Sequence, residues 1–92
     1  MNRIEKMRLS LAEFQPTEIE IVDDSHKHAG HEGARSGGGH YSLHIVSAQF
    51  EGKPTLARHR MIYSALGEMM KQEIHALNIK AYTPQELKSV VP

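Results

Sequence analysis

Residues Phe50–Thr83 read FEGKPTLARHRMIYSALGEMMKQEIHALNIKAYT, and this stretch decides the predicted fold. Gly52 and Pro54 interrupt the segment before it, and proline suits the first turn of a helix because its missing N–H would have no intrahelical partner there. A helix is therefore predicted to begin near Pro54. Its apolar residues recur at three- and four-residue steps and predict a core-facing stripe of Ile62, Leu66, Met69 and Met70. The charged residues predicted to face water are Arg58, Arg60, Glu68 and Lys71.

Up to Ile74 the apolar residues recur every three or four residues, and beyond it they recur every two. The alternating apolar residues are Leu77, Ile79 and Ala81, and the residues between them are Asn78, Lys80 and Tyr82. This repeat predicts a half-buried strand. His75 lies where the predicted helix gives way to the strand. A side chain held by two elements is well placed to act as a functional imidazole. The alternative is a histidine that caps the C-terminus of the helix, where its cationic form interacts favourably with the helix dipole.

Upstream of this stretch, the chain predicts a helix and then a strand. Over Met1–Phe14 the apolar residues that fall on one helical face are Ile4, Met7, Leu11 and Phe14. Pro16 ends this helix, because the residue before a proline avoids the helical region. Over Thr17–Asp23 isoleucine alternates with glutamate, which predicts a strand with one wet face.

The segment DDSHKHAGHEGARSGGGH, residues 23–40, holds five of the seven glycines and four of the seven histidines and has no apolar period. It is predicted to be a long loop, mobile from Ser25 to Gly39. Tyr41–Phe50 then predicts the second strand. At the C-terminus, Thr83-Pro84-Gln85-Glu86 has the spelling of a capping box and predicts a brief final helix.

The predicted order is helix, strand, strand, helix, strand, helix. The first two strands are expected to pair antiparallel, and a right-handed crossover through the long helix makes the third parallel to the second. The fold class is therefore α+β: one two-layer domain over residues 1–92, with a three-stranded mixed sheet and helices on one face.

Composition limits the function. The 92 residues and a hydrophobic share of 39% suit one small domain. Eleven basic residues balance eleven acidic ones, so sequence-independent DNA binding by the chain alone is expected to be weak. No run approaches the roughly 18 apolar residues of a membrane span, and no secretory signal is recognisable, so we expect a cytoplasmic protein. There is no cysteine, so any sulfur ligand must come from a partner.

Seven histidines are the unusual feature of the composition. His26, His28 and His31 form an H-x-H-x-x-H pattern that matches none of the well-defined zinc spacings, so it is either a weak metal site or a polar surface loop. His40 stands at the entrance to the second strand, facing the loop, and is better placed as a ligand. His44 lies within the strand and is predicted to be a packed or half-exposed sheet residue.

Basic residues cluster around the start of the long helix: Lys53, Arg58, His59 and Arg60. Free N–H groups and the helix dipole favour anions there, so the cluster is either a phosphate grip or a solvated helix start. No nucleophile constellation, phosphate-binding loop or G-x-S-x-G elbow is present. No enzymatic activity is expected.

Four segments in order, SHKHAGH, HYSLHIVSAQF, EGKPTLARHRMIYSAL and IHALNIKAYTPQE, resemble the BolA family from the first helix almost to Pro92. The resemblance implies an αββαβα domain similar to the class II KH fold, with a short helical turn before the main helix. It also implies a monothiol glutaredoxin partner, bound without metal or through a shared 2Fe–2S cluster with glutathione. The alternative that it implies is a DNA-binding transcriptional regulator of stress response and cell shape.

The resemblance also implies site residues. The family's C-terminal ligand is the histidine of the I-H-A motif, here His75. The second ligand is a cysteine or histidine of the loop, and because this chain lacks cysteine the candidates are His40, which lies against the strand, and His31, which has the longer reach. For nucleic acid, the resemblance points to Lys53 and to the R-H-R segment, Arg58, His59 and Arg60. Alone, the chain is expected to be a monomer or a weak homodimer.

Overall fold

The computed structural model describes residues 1–25 and 39–90. Residues 26–38 of the predicted mobile loop, which include His26, His28 and His31, therefore lie outside the described residues. The helices are α1 (Arg3–Leu11), α2 (Thr55–Leu66), α3 (Met69–Gln72) and α4 (Pro84–Val90), and the strands are β1 (Glu18–Asp23), β2 (Gly39–Val46) and β3 (Ile74–Tyr82). None of the helices in these ranges is long and apolar enough to cross a membrane.

The three strands form one mixed sheet in the order β1-β2-β3. β1 pairs antiparallel with β2, and β2 pairs parallel with β3. The inner face of the sheet and the helices bury one common core, whose largest fully buried side chains include Phe50, Met7, Leu11, Leu43 and Ile62. The predicted α+β architecture with a mixed three-stranded sheet is confirmed.

The first helix forms as its sequence predicts. The side chain of Asn2 accepts a hydrogen bond from the Glu5 N–H at 2.9 Å, which satisfies one of the free donors of the helix start. The apolar stripe is buried at Met7 and Leu11. A short 3₁₀ turn, Ala12–Phe14, continues the helix, and Gln15 then takes a left-handed conformation with φ 48° directly before Pro16.

The second strand begins and ends earlier than predicted, at Gly39 instead of Tyr41 and at Val46 instead of Phe50. β2 ends at Val46, and Ala48–Phe50 form a 3₁₀ turn in which Phe50 is buried. The cause is Ser47, whose hydroxyl donates to the Phe14 carbonyl at 2.6 Å and accepts from the Gln49 N–H at 3.1 Å. The predicted strand to Phe50 was therefore wrong over its last residues, and the helical turn that the resemblance implied is present.

The long helix is interrupted. A single helix from Pro54 towards Ile74 was predicted, but the chain breaks at Gly67, which has φ 55° and separates α2 from α3. Glycine adopts this conformation without the steric cost that a side chain would bring. The apolar stripe survives the break, because Ile62, Leu66 and Met69 are all buried.

Arg58 was predicted to face water, and this prediction is wrong. The residue is 9% exposed. Its guanidinium donates to the Lys53 carbonyl at 2.7 Å and to the Ala81 carbonyl at 3.0 Å. It also donates a hydrogen bond to each carboxylate oxygen of Glu86, at 2.6 and 2.9 Å. Arg58 thereby ties the start of α2 to the end of β3 and to the first turn of α4.

Glu86 closes the predicted capping box as well. Its carboxylate accepts from the Thr83 N–H at 2.9 Å, and the Thr83 hydroxyl accepts from the Glu86 N–H at 3.1 Å. The Arg58 hydrogen bond and then the Thr83 backbone hydrogen bond lower the pKa of the Glu86 carboxyl to about 2. The hydrogen bond between Arg58 and Glu86 also raises the pKa of the Arg58 guanidinium.

This carboxylate predicts an acid-dependent stability. The folded-state pKa of about 2 lies below the ordinary 4.5, so the stabilisation is present above about pH 4.5 and is lost as the pH falls towards 2. We expect Glu86→Gln to be less stable than the parent near neutral pH, by a difference in unfolding free energy that shrinks over this window. Urea unfolding at a series of pH values measures it. Glu18→Gln, which removes an exposed carboxylate of β1, is the control, and an equal pH dependence in both variants would contradict the prediction.

Candidate metal centre

The parallel strands β2 and β3 shift their register by one residue where they begin. Gly39 pairs with Ile74, but His40 pairs with Ala76, so His75 is the extra residue of a β-bulge. The Gly39 N–H donates to the Glu73 carbonyl at 3.1 Å, just before the bulge. Bulges bend a strand locally and re-aim a side chain, and they are common next to functional sites.

The bulge changes which way His75 faces. Side chains alternate between the two faces of a regular strand, so His75 would share the inner face with Leu77. Instead Ile74 is 2% exposed, and His75 and Ala76 are both exposed. The extra residue therefore keeps Ile74 in the core and places His75 on the outer face of the sheet, beside His40.

His40 and His75 form an imidazole pair. Their ring centres lie 5.0 Å apart, with 45° between the ring planes. The His40 residue is half-buried with Nε2 buried, whereas His75 is exposed. Two imidazoles on one tetrahedral metal, each with a metal–nitrogen distance of about 2.0–2.1 Å, hold their ring centres about 5 Å apart. The 5.0 Å separation is therefore compatible with two ligands of one metal ion, and it is equally an ordinary distance for two aromatic rings in contact.

The pair is incomplete as a metal site of its own. Within residues 1–25 and 39–90 no three or more His, Cys, Asp or Glu side chains are grouped so that they would hold a metal ion. Four-coordinate sites need two further ligands beyond two imidazoles. Of the two second-ligand candidates, the structure brings His40 to His75, while His31 lies outside the described residues and stays a prediction.

Gly39 has a role that sequence reasoning missed. A Cβ at this position would lie 2.5 Å from a ring carbon of Tyr41, which is 5% exposed. Side chains two residues apart share one face of a strand, so glycine is what allows the Tyr41 ring to lie along β2 there. Gly39 was predicted to be the last residue of the mobile loop, and the usable signal was a glycine directly before a strand histidine.

The remaining predicted residues divide into two groups. His44, four residues beyond His40 on β2, packs in the sheet as predicted, with its ring centre 5.6 Å from that of Tyr82. Lys53 and Arg60 are exposed and His59 is half-buried, whereas the guanidinium of Arg58 is held inside the protein. The nucleic-acid assignment stays a prediction, and its solvent-facing basic side chains are those of Lys53, His59 and Arg60.

Comparison with known proteins identifies the family. The sequence profile of the BolA-like proteins matches residues 11–86, which is most of the chain. The chain belongs to the BolA-like family. The family that the four sequence segments predicted is thereby confirmed, and the matched range contains both imidazoles of the pair.

Two BolA-like relatives differ in their overall size. The chain is 43% identical over 82 residues to the DNA-binding transcriptional regulator BolA of Escherichia coli K12, covering 89% of this chain and 72% of that protein. It is 44% identical over 80 residues to SufE-like protein 1, chloroplastic/mitochondrial, of Arabidopsis thaliana, covering 82% of this chain. The chain spans only 22% of the length of that second relative.

Solved BolA structures share the fold. BolA1 from Arabidopsis thaliana has a TM-score of 0.80 at 39% identity, covering 94% of this chain and 96% of its own. The BolA domain of SufE1 from the same plant has a TM-score of 0.80 at 39% identity, with coverages of 94% and 98%. BolA1 from Mus musculus has a TM-score of 0.78 at 32% identity, with coverages of 97% and 72%.

The contact between Gly39 and Tyr41 predicts a steric cost. Gly39→Ala forces the buried Tyr41 ring to move, and overpacking of this kind costs about 1–3 kcal/mol of unfolding free energy. Urea unfolding measures the loss. In the Tyr41→Leu background the same Gly39→Ala change is expected to cost less, because the clashing ring atoms are gone. An equal cost in both backgrounds would show that the ring is not the obstacle.

Proposed function

We propose that the protein is a BolA-like adaptor that binds a monothiol glutaredoxin and shares a bridging 2Fe–2S cluster with it. The observation that carries the proposal is the pair of His40 and His75, with ring centres 5.0 Å apart on the outer face of the sheet. Two imidazoles form half of a ligand set, and the chain has no cysteine with which to supply the other half. In this proposal the partner supplies the remaining ligands of the cluster.

Each part of the site has a definite task in this proposal. His75, carried by the bulge, and His40, carried by the start of β2, are the ligands that the chain contributes. The partner and glutathione contribute the thiolates. Histidine in place of cysteine on one iron raises the reduction potential of such a cluster. The chain itself catalyses no reaction in this role, and its cytoplasmic location stays a prediction.

A second candidate function is DNA binding as a transcriptional regulator. It is supported by the similarity to the DNA-binding transcriptional regulator of Escherichia coli, which is 43% identical. It is also supported by the basic side chains of Lys53, His59 and Arg60 around the start of α2, where free N–H groups favour phosphate. The zero formal net charge opposes tight binding by the chain alone, so we rank this function second.

His75→Ala tests the adaptor proposal. The residue is exposed, so its loss should change the unfolding free energy by no more than about 0.5 kcal/mol. Mixing the variant with a cluster-loaded monothiol glutaredoxin should fail to produce the altered visible absorption and circular dichroism of the mixed complex. Metal-free association, measured by calorimetry, can survive because it does not need the ligand.

His44→Ala is the matched control for this experiment. It removes another imidazole of the same sheet, at the contact with Tyr82 and away from the pair. We expect the His44→Ala mixture to retain the spectral change of the parent. A His75→Ala complex with the same spectrum as the parent complex would exclude His75 as a ligand.

A salt titration tests the second candidate. The ranking of the two functions predicts that the purified chain alone does not shift a specific DNA duplex at submicromolar concentration and physiological salt. Binding at that concentration, lost steeply as salt rises, would reverse the ranking of the two functions, because counterion release makes phosphate contacts salt-dependent. The double variant Lys53→Ala/Arg60→Ala should then weaken binding, while His75→Ala should leave it unchanged.

A further inference from the structure

The backbone of His40 is held by residues beyond the end of β1. The last pair of the β1–β2 ladder joins Asp23 to Tyr41. One step further, the His40 carbonyl accepts from the Asp24 N–H at 2.7 Å, and the His40 N–H donates to the Ser25 hydroxyl at 3.1 Å. In a regular antiparallel pair a backbone carbonyl of the partner strand would accept that N–H. Here a side-chain oxygen takes its place.

The turn that presents this hydroxyl is itself fixed. The Ser25 N–H donates to the Asp23 carboxylate at 2.9 Å, which is the hydrogen bond of an Asx turn. The neighbouring Asp24 carboxylate accepts from the Ser42 hydroxyl at 2.5 Å. Ser42 lies two residues beyond His40 on the same strand. The turn is therefore hydrogen-bonded to β2 at both His40 and Ser42.

His40 needs this support more than an ordinary strand residue does. Three glycines, Gly37 to Gly39, precede it in the sequence, and glycine restricts the backbone least of all residues. Its neighbour across the strands, His75, is positioned separately by the bulge of β3. A metal ligand must be held within a fraction of an ångström of its productive geometry, which requires supporting hydrogen bonds.

We propose that Ser25 is a positioning residue of the candidate metal centre: its hydroxyl holds the His40 backbone so that the His40 imidazole meets that of His75. This inference rests on the proposed role of the two imidazoles as ligands of one metal. It assigns a function to the Asp23–Ser25 segment, where the first strand was predicted to end and the loop to begin. The hydroxyl is the group that matters, so threonine should replace serine there and alanine should not.

Zinc titration followed by NMR tests the inference, with Zn²⁺ as the probe and the ring signals of His40 and His75 read separately from those of the other histidines. In the parent both rings should respond over the same range of zinc concentration. In Ser25→Ala about tenfold more zinc should be needed for the response of the pair, as is found for outer-shell partners of metal ligands. Ser25→Thr should restore the parent response, and Ser64→Ala, an exposed serine of α2, should not alter it.

Two further measurements separate positioning from general destabilisation. The His40 amide proton should exchange faster in Ser25→Ala than in Ser25→Thr, because only alanine removes its acceptor. The unfolding midpoints of the two variants should agree within about 3 °C. A loss of zinc response that merely follows a lowered midpoint would overturn the positioning role.

The results distinguish the inference from the function on which it rests. If the two parent rings respond together and Ser25→Ala responds as the parent does, the positioning role of Ser25 is wrong and the imidazole pair stands. If the two parent rings respond to zinc at clearly different concentrations, His40 and His75 do not share a metal ion. The role of Ser25 then falls together with the proposed pair.

Discussion

The one-residue register shift between β2 and β3 is the constraint on which both the core and the site depend. A strand with unbroken alternation cannot bury Ile74 and also bury Leu77 and Ile79, since these positions fall on opposite faces. The extra residue at His75 resolves this conflict, because it lets Ile74 and Ile79 join one core while His75 faces outwards. The same irregularity therefore completes the core at this end of the sheet and creates the imidazole pair.

The residues beside the bulge, Gly39 and Glu73, make contacts that fix the beginning of β2 and β3. Gly39 enters β2 against the Tyr41 ring, where a Cβ would lie 2.5 Å from a ring carbon. Its N–H donates to the Glu73 carbonyl, at the end of the helical segment that leads into β3. Glu73 also receives a 2.9 Å ion pair from Lys6 of α1. Residues of α1 and of β2 therefore both contact the segment that leads into β3, next to the imidazole pair.

The sequence predicted features that depend on near neighbours and missed those that depend on distant ones. The first helix and the Thr83–Glu86 capping box follow from local periodicity and hydrogen bonding, and both were confirmed. Arg58 was placed in water because its carboxylate partner, Glu86, lies 28 residues away. The strand end at Val46 depends on a hydrogen bond from Ser47 across 33 residues. Such contacts are properties of the folded chain and leave no periodic signal.

The candidate site was half predictable for the same reason. His75 was singled out at a junction of elements, and His40 at a strand entrance, but their juxtaposition depends on a register that periodicity does not report.

The structure also separates the two proposed functions in space. β3 (Ile74–Tyr82) carries His75 near one end and Ala81 near the other, where Arg58 joins it to the start of α2. Six residues of strand span about 20 Å, so a cluster at the imidazole pair and a phosphate backbone at the start of α2 would occupy opposite ends of the sheet. The two proposed sites therefore share no residue, so variants can be designed at one end of the sheet that leave the other end unchanged.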